Sequence, residues 1–148
     1  MIPSYKTMTI TLNRTIPASP AEVYDAWLDP ATPGVPWESA DCQKVILDAK
    51  IDGLFYFKRV HPEGAEFPHF GRFTVLDRAK KMEYTWMSPF TRGLESVVTV
   101  ELEKKGDDTL LQLRHANLPD DELGRMHDEG WIGRVDALVE GFKARRKR

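Results

Sequence analysis

Two stretches with helical spacing, AEVYDAWLDP at 21–30 and HDEGWIGRVDALVEGF at 127–142, close off a long middle in which apolar and polar residues alternate. No other feature constrains the fold as much. Alternation is the period of a strand with one buried face, and the flanking helices must supply the cover for that face. Phe55/Phe57, Phe73/Val75 and Met82/Tyr84/Trp86 put large side chains on one face of neighbouring strands. The expected result is an α+β domain, a curved antiparallel sheet wrapped on a long final helix with space for a cavity between them.

The elements can be read in order. TMTITLNRTI at 7–16 has strand period, and Pro17-Ala18-Ser19-Pro20 then breaks it. Ser19 suits an N-cap, with Pro20 at the first helical position and Glu22 at the third, and Asp29-Pro30 ends that helix. ATPGVPWESA, from Ala31 to Ala40, surrounds an isolated Trp37 with breakers and reads as a loop or short helical turn, a candidate mobile lid. QKVILD, GLFYFKRV, HFGRFTVLD, KMEYTWM and ESVVTVELE read as strands, with turn signals at Asp52-Gly53, Pro62-Glu63-Gly64 and Pro89 with Gly93. A hairpin turn over Lys104–Asp108 leads into TLLQLRH at 109–115. The last helix is expected to open near Leu118-Pro119-Asp120-Asp121-Glu122, where acids suit its positive end.

With 148 residues the chain is expected to form a single domain, 1–148, whose size buries roughly 68–70% of the unfolded surface. Cys42 stands alone and has no intramolecular disulfide partner. MIPSYKTMTITLNRT lacks the apolar core and cleavage site of a leader, so a cytoplasmic location is expected. Lys+Arg number 21 against 23 Asp+Glu, a net charge of −2 that gives nucleic acid nothing to bind. No apolar run approaches the ~20 residues of a membrane span. The basic end, 143–148, is expected to be a flexible, solvated helix terminus complementing the helix dipole.

Signals of reaction chemistry are sparse. HExxH, CxxC, GxSxG and phosphate-cradling glycine loops do not occur, and His61, His69, His115 and His127 lack metal-ligand spacing. The expectation is therefore no metal, no cofactor and no assigned catalytic residue. His127-Asp128-Glu129 are adjacent on a helix, point in different directions and read as solvated surface.

The chain resembles the START-like (SRPBCC, Bet v type) helix-grip superfamily, and within it the branch similar to the activator of heat-shock protein 90 ATPase. The resemblance covers nearly the whole chain. Its carriers are Pro20–Trp27 with Asp29-Pro30, Gly71-Arg72-Phe73 leading to Met82–Trp86, Ser96–Val100 to Leu102, Thr109–Leu113, His115 and His127–Trp131. It implies a β-α-α-β6-α fold in which a seven-stranded antiparallel sheet grips the C-terminal helix, leaving a pocket. Members of the superfamily bind hydrophobic small molecules, act as cyclase relatives or assist chaperones. Where relatives commonly carry Trp-Trp-Gly after the first helix, this chain has Gly34-Val35-Pro36-Trp37-Glu38.

Strand parity and the resemblance together nominate a set of ligand-binding residues: Trp37, Phe55, Phe57, His69, Phe73, Tyr84, Trp86, Val98, Leu113, His115 and, on the helix opposite, Trp131. The competing reading makes the aromatics ordinary core and leaves the histidines bonding backbone carbonyls. Three functions stay open. The first is binding of a small hydrophobic or aromatic molecule. The second is a chaperone-associated role, and the third is a cyclase- or hydrolase-like reaction at His69, His115 or Tyr84. The domain is expected to act as a monomer or homodimer.

Overall fold

The computed structural model describes residues 6–146. Strands β1 (Thr7–Ile16), β2 (Cys42–Leu47), β3 (Leu54–Val60), β4 (Glu66–Asp77), β5 (Lys81–Trp86), β6 (Ser96–Lys105) and β7 (Asp108–Pro119) form one sheet. Their spatial order is β1-β7-β6-β5-β4-β3-β2, antiparallel throughout. Helix α1 (Pro20–Trp27) follows β1, and α2 (Glu122–Arg146) closes the chain. The seven-stranded sheet and long final helix make the expected helix-grip α+β fold.

Helix α1 starts where its cap residues dictate. Ser19 Oγ accepts from the Glu22 N–H and Glu22 Oε1 accepts from the Ser19 N–H, each at 3.2 Å, a reciprocal capping box with Pro20 inside it. Among the described residues only one helix precedes β2. The second helix of the implied formula is replaced by a run of turns over 28–41, because Pro30, Pro33, Gly34 and Pro36 interrupt any helical ladder.

That segment is not a mobile lid. Trp37 is wholly buried, its indole N–H donates to the Trp27 carbonyl at 2.9 Å, and its ring packs on Phe55, Phe73 and Tyr84. Gly34 adopts φ +94°, and a Cβ there would lie 2.5 Å from the Arg134 carbonyl oxygen and 2.6 Å from the Leu138 nitrogen. The loop thus rests directly on the α2 backbone, a fit open only to glycine. Gly34 N–H donates to Glu38 Oε1, which pairs with Arg134 on α2.

Helix α2 is 25 residues long, roughly 37 Å. It buries Trp131, Val135, Leu138, Val139 and Phe142 against the concave face of the sheet, a helical stripe. It begins at Glu122 rather than near Leu118, because β7 continues beside β1 through Met8↔Leu118 and Thr7↔Pro119. Asp121 Oδ1 accepts from the Gly124 N–H in the first turn. Residues 143–146 continue the helix, with Arg146 paired to Asp108 at 2.7 Å; Lys147 and Arg148 of the basic end lie outside the described residues.

The inward face alternates regularly along β3 and β5 but shifts on β4. A bulge between Phe73 and Val75 inserts a residue, so Phe73 is buried while Leu76, rather than Val75, packs against the core. Gly71 opposes Phe55 in the ladder; a Cβ on it would lie 1.9 Å from the Thr85 oxygen and 2.5 Å from the Phe55 ring.

Candidate functional site

A pocket of about 280 Å³ opens beside the middle of α2. His127, Gly130, Trp131 and Arg134 border it from the helix, at spacings of three, four and seven residues that put them on one face. Pro36 comes from the pinned loop, Arg59 from the end of β3, His69 from β4, Trp86 from the end of β5 and Phe90 from the one-turn 3-10 helix Pro89–Thr91. Met126, half exposed, forms the rim.

The nominated residues divide into three groups. His69, Trp86 and Trp131 line this pocket. Trp37, Phe55, Phe57, Phe73, Tyr84, Val98 and Leu113 lie in the core, where the aromatic members pack on one another. His115 sits between the groups, fully buried and edge-on to both Trp86 and Trp131. The concave face is therefore filled at one end and open at the other.

His115 has no nitrogen to spare. Trp131 Nε1–H donates to His115 Nδ1 at 2.9 Å, so Nδ1 is the acceptor and the ring proton is on Nε2. Nε2–H then donates to Ser96 Oγ at 2.7 Å, and Ser96 passes its hydroxyl proton on to the Trp86 carbonyl at 2.5 Å. Burial, aided by nearby His127, holds the imidazole well below its ordinary pKa. The chain Trp131–His115–Ser96–Trp86 O spends every polar group on joining α2 to the sheet.

His69 keeps one nitrogen. Its Nδ1–H donates to the Phe67 carbonyl at 3.0 Å and its ring stacks on Phe57 at 4.6 Å, leaving Nε2 as an acceptor. Burial pushes this imidazole down to about 4, so it is neutral near pH 7 and a weak base. Tyr84, another residue considered for chemistry, is wholly buried, accepts from Trp27 Nε1–H at 3.3 Å and has its pKa pushed far up by burial.

His127 corrects the reading of a solvated helix surface. It is half-buried at the pocket, its Nδ1–H is shared between the Leu123 and Gly124 carbonyls, and burial lowers its pKa. Asp128 and Glu129 are exposed. With the three histidines neutral, the lasting charges of the wall are Arg59 and Arg134. Arg134 is paired with Glu38 at 3.2 Å and Asp41 at 2.9 Å. Arg59 lies over the Phe57 face, its guanidinium carbon 5.3 Å from the ring centroid, and donates to the Pro36 carbonyl.

Trp86 adds a second polar loose end. Its ring forms part of the wall, and its Nε1–H is buried with no acceptor. The sequence carried a signal for some of the overlooked lining residues. Arg59 continues the inward parity of Phe55 and Phe57, and a charged residue at such a position marks something other than core. Phe90 and Pro36 carried no such signal, because their loops are placed by tertiary contacts. Among the described residues no group of three or more histidine, cysteine or acidic side chains could hold a metal, and no helix is long and apolar enough to cross a membrane.

No curated protein matched the chain. Among solved structures, protein Mll3558 from Rhizobium loti superposes with a TM-score of 0.78 at 23% identity, covering 93% of this chain and 99% of that one. Protein CV1439 from Chromobacterium violaceum gives 0.74 at 22% identity, over 90% and 96%. SA2116 from Staphylococcus aureus, a protein of unknown function, gives 0.74 at 14% identity, over 97% and 98%. At such identities the likeness is one of fold. The family model described as Activator of Hsp90 ATPase homolog 1-like protein matches residues 17–143, from the turn before α1 to the last turns of α2. The chain belongs to that family.

Proposed function

We propose that this protein binds a small, largely apolar molecule in the pocket between α2, Pro36, Arg59 and the Trp86 end of the sheet. The observation that carries the reading is an open pocket of about 280 Å³ walled by Trp86, Phe90 and Trp131 beside a core that is otherwise filled. That size stands near the lower end of small-molecule sites, roughly 300–1,000 Å³. It suits a ligand of one or two rings. Aromatic walls with a few polar groups give such a ligand both affinity and orientation.

The family's name points to a second role, stimulation of a chaperone ATPase, in which an outer surface contacts the chaperone and the pocket is incidental. The ligand reading is preferred because Trp86, whose side chain helps wall the pocket, keeps a buried Nε1–H without a protein acceptor, which a purely structural interior has no use for.

The test uses the neutral fluorophore N-phenyl-1-naphthylamine. The intact protein is expected to bind it at micromolar concentration and the Gly130→Trp variant at least about tenfold more weakly. Gly130 borders the pocket, and a Cβ there meets nothing within 4 Å, so an indole can enter the space while the helix stays intact. Equal binding by the two proteins, or none by either, removes the proposal.

A further inference from the structure

Among the described residues, Arg59 is the one arginine that is sheltered from solvent and has no carboxylate partner. Arg14, Arg72, Arg78, Arg92, Arg125, Arg134 and Arg146 each pair with an acid, while Arg114 and Arg145 are exposed. The two acids nearest in effect, Glu38 and Asp41, are both held by Arg134. Arg59 uses one N–H on the Pro36 carbonyl, and its other donors meet no acceptor among the described residues. A half-buried cation without a partner is costly, and a protein ordinarily exposes it or supplies a carboxylate.

We infer that the ligand of this pocket carries a carboxylate, received by Arg59 at one end of the pocket while an aromatic or branched apolar body lies against Trp86, Phe90 and Trp131. The inference rests on the ligand-binding reading above and narrows it to a class of molecule. The guanidinium fork matches a carboxylate with two parallel N–H···O bonds, which a neutral amide cannot reproduce with equal strength. The apolar walls keep water away from part of this contact and strengthen it. The contact of Arg59 with the Phe57 ring and its bond to the Pro36 carbonyl hold the guanidinium in place before any ligand arrives, so little order is lost on binding. Burial also lowers the Arg59 pKa, with Arg134 adding like-charge repulsion, and an incoming anion relieves both.

An isosteric pair of probes, 2-naphthoic acid and 2-naphthamide, titrated calorimetrically into the whole protein at pH 7, isolates the charge. The naphthoate is expected to bind at least about tenfold tighter than the amide. Arg59→Gln is expected to remove that preference, so that the two probes bind within about twofold of one another whatever their common affinity, and Arg59→Lys to keep part of it. Near-UV circular dichroism checks that the variants are folded. Equal affinities for the two probes on the native protein overturn the inference and leave the ligand-binding reading standing. So does a preference that survives in folded Arg59→Gln. Failure of both naphthyl probes to bind overturns the inference outright, and if N-phenyl-1-naphthylamine fails as well the pocket reading falls with it.

Discussion

Trp131 on α2 donates its indole proton to Nδ1 of His115 on β7 across 2.9 Å, and this bond fixes both the tautomer of the histidine and the seat of the helix. The histidine is a joint between layers. Its proton must lie on Nε2, where Ser96 receives it, so the imidazole has no free lone pair for proton transfer.

Ser96→Ala should therefore destabilise the fold without enlarging a core side chain. The change orphans the buried His115 Nε2–H and removes a donor from the Trp86 carbonyl, at a cost of about 1–3 kcal/mol. Urea unfolding measures it. A loss below about 0.5 kcal/mol contradicts the proposed chain of bonds.

Mild acid should weaken the protein through its buried histidines. His69, His115 and His127 all have folded pKa values pushed below 6.5 by burial, so the unfolded chain binds more protons as pH falls through that value. Stability is then full above pH 6.5 and declines on the way down, to about 4 for His69, which alone accounts for on the order of 3 kcal/mol over the window. Carboxylates held low by their partners, such as Asp25 beside Arg78 and Asp121 at the start of α2, act below that range. Denaturant midpoints between pH 7 and 5 test the histidine contribution, and a flat profile there contradicts it.

Trp37→Ala should cost about 3–5 kcal/mol, the penalty for truncating a packed aromatic. Amides of Val35, Trp37 and Glu38 should exchange as slowly as those of β6. Rapid exchange with a small loss of stability would return the segment to the status of a lid.

Two glycines should respond in opposite directions. Gly34→Ala forces a side chain into the α2 backbone at φ +94° and should destabilise by about 1–3 kcal/mol or more. Gly130→Ala, in open space on the helix, should stabilise by about 0.5–1 kcal/mol. The difference in thermal midpoint between the variants reads the prediction directly.

Local pattern made much of this legible. The Ser19–Glu22 cap, the inward parity of Phe55, Phe57, Tyr84 and Trp86, and the stripe through Trp131, Val135 and Leu138 are set by residues close together in the chain. The burial of Trp37 was not legible. Its neighbours are breakers, and what buries it is a distant sheet and the backbone of α2 at Gly34. The β4 bulge was equally silent, since one inserted residue leaves composition unchanged while exchanging Val75 for Leu76 at the core. The same limit explains the site. Parity identifies which side chains face inward, but whether they meet each other or a void depends on how α2 sits, and Phe55 met its neighbours whereas Trp86 met both.

The four tryptophans test the central claim together, because each contributes one resolvable indole N–H resonance. Trp86 and Trp131 line the pocket, while Trp37 is sealed in the core with its N–H on the Trp27 carbonyl. In a titration of ¹⁵N-labelled protein with N-phenyl-1-naphthylamine, the Trp86 and Trp131 indole signals are predicted to shift together with a single affinity, Trp86 moving most because its donor has no protein partner. The Trp37 signal is predicted to stay in place. Movement of Trp37 without Trp86 and Trp131, or no movement of any indole at saturating probe, contradicts the account.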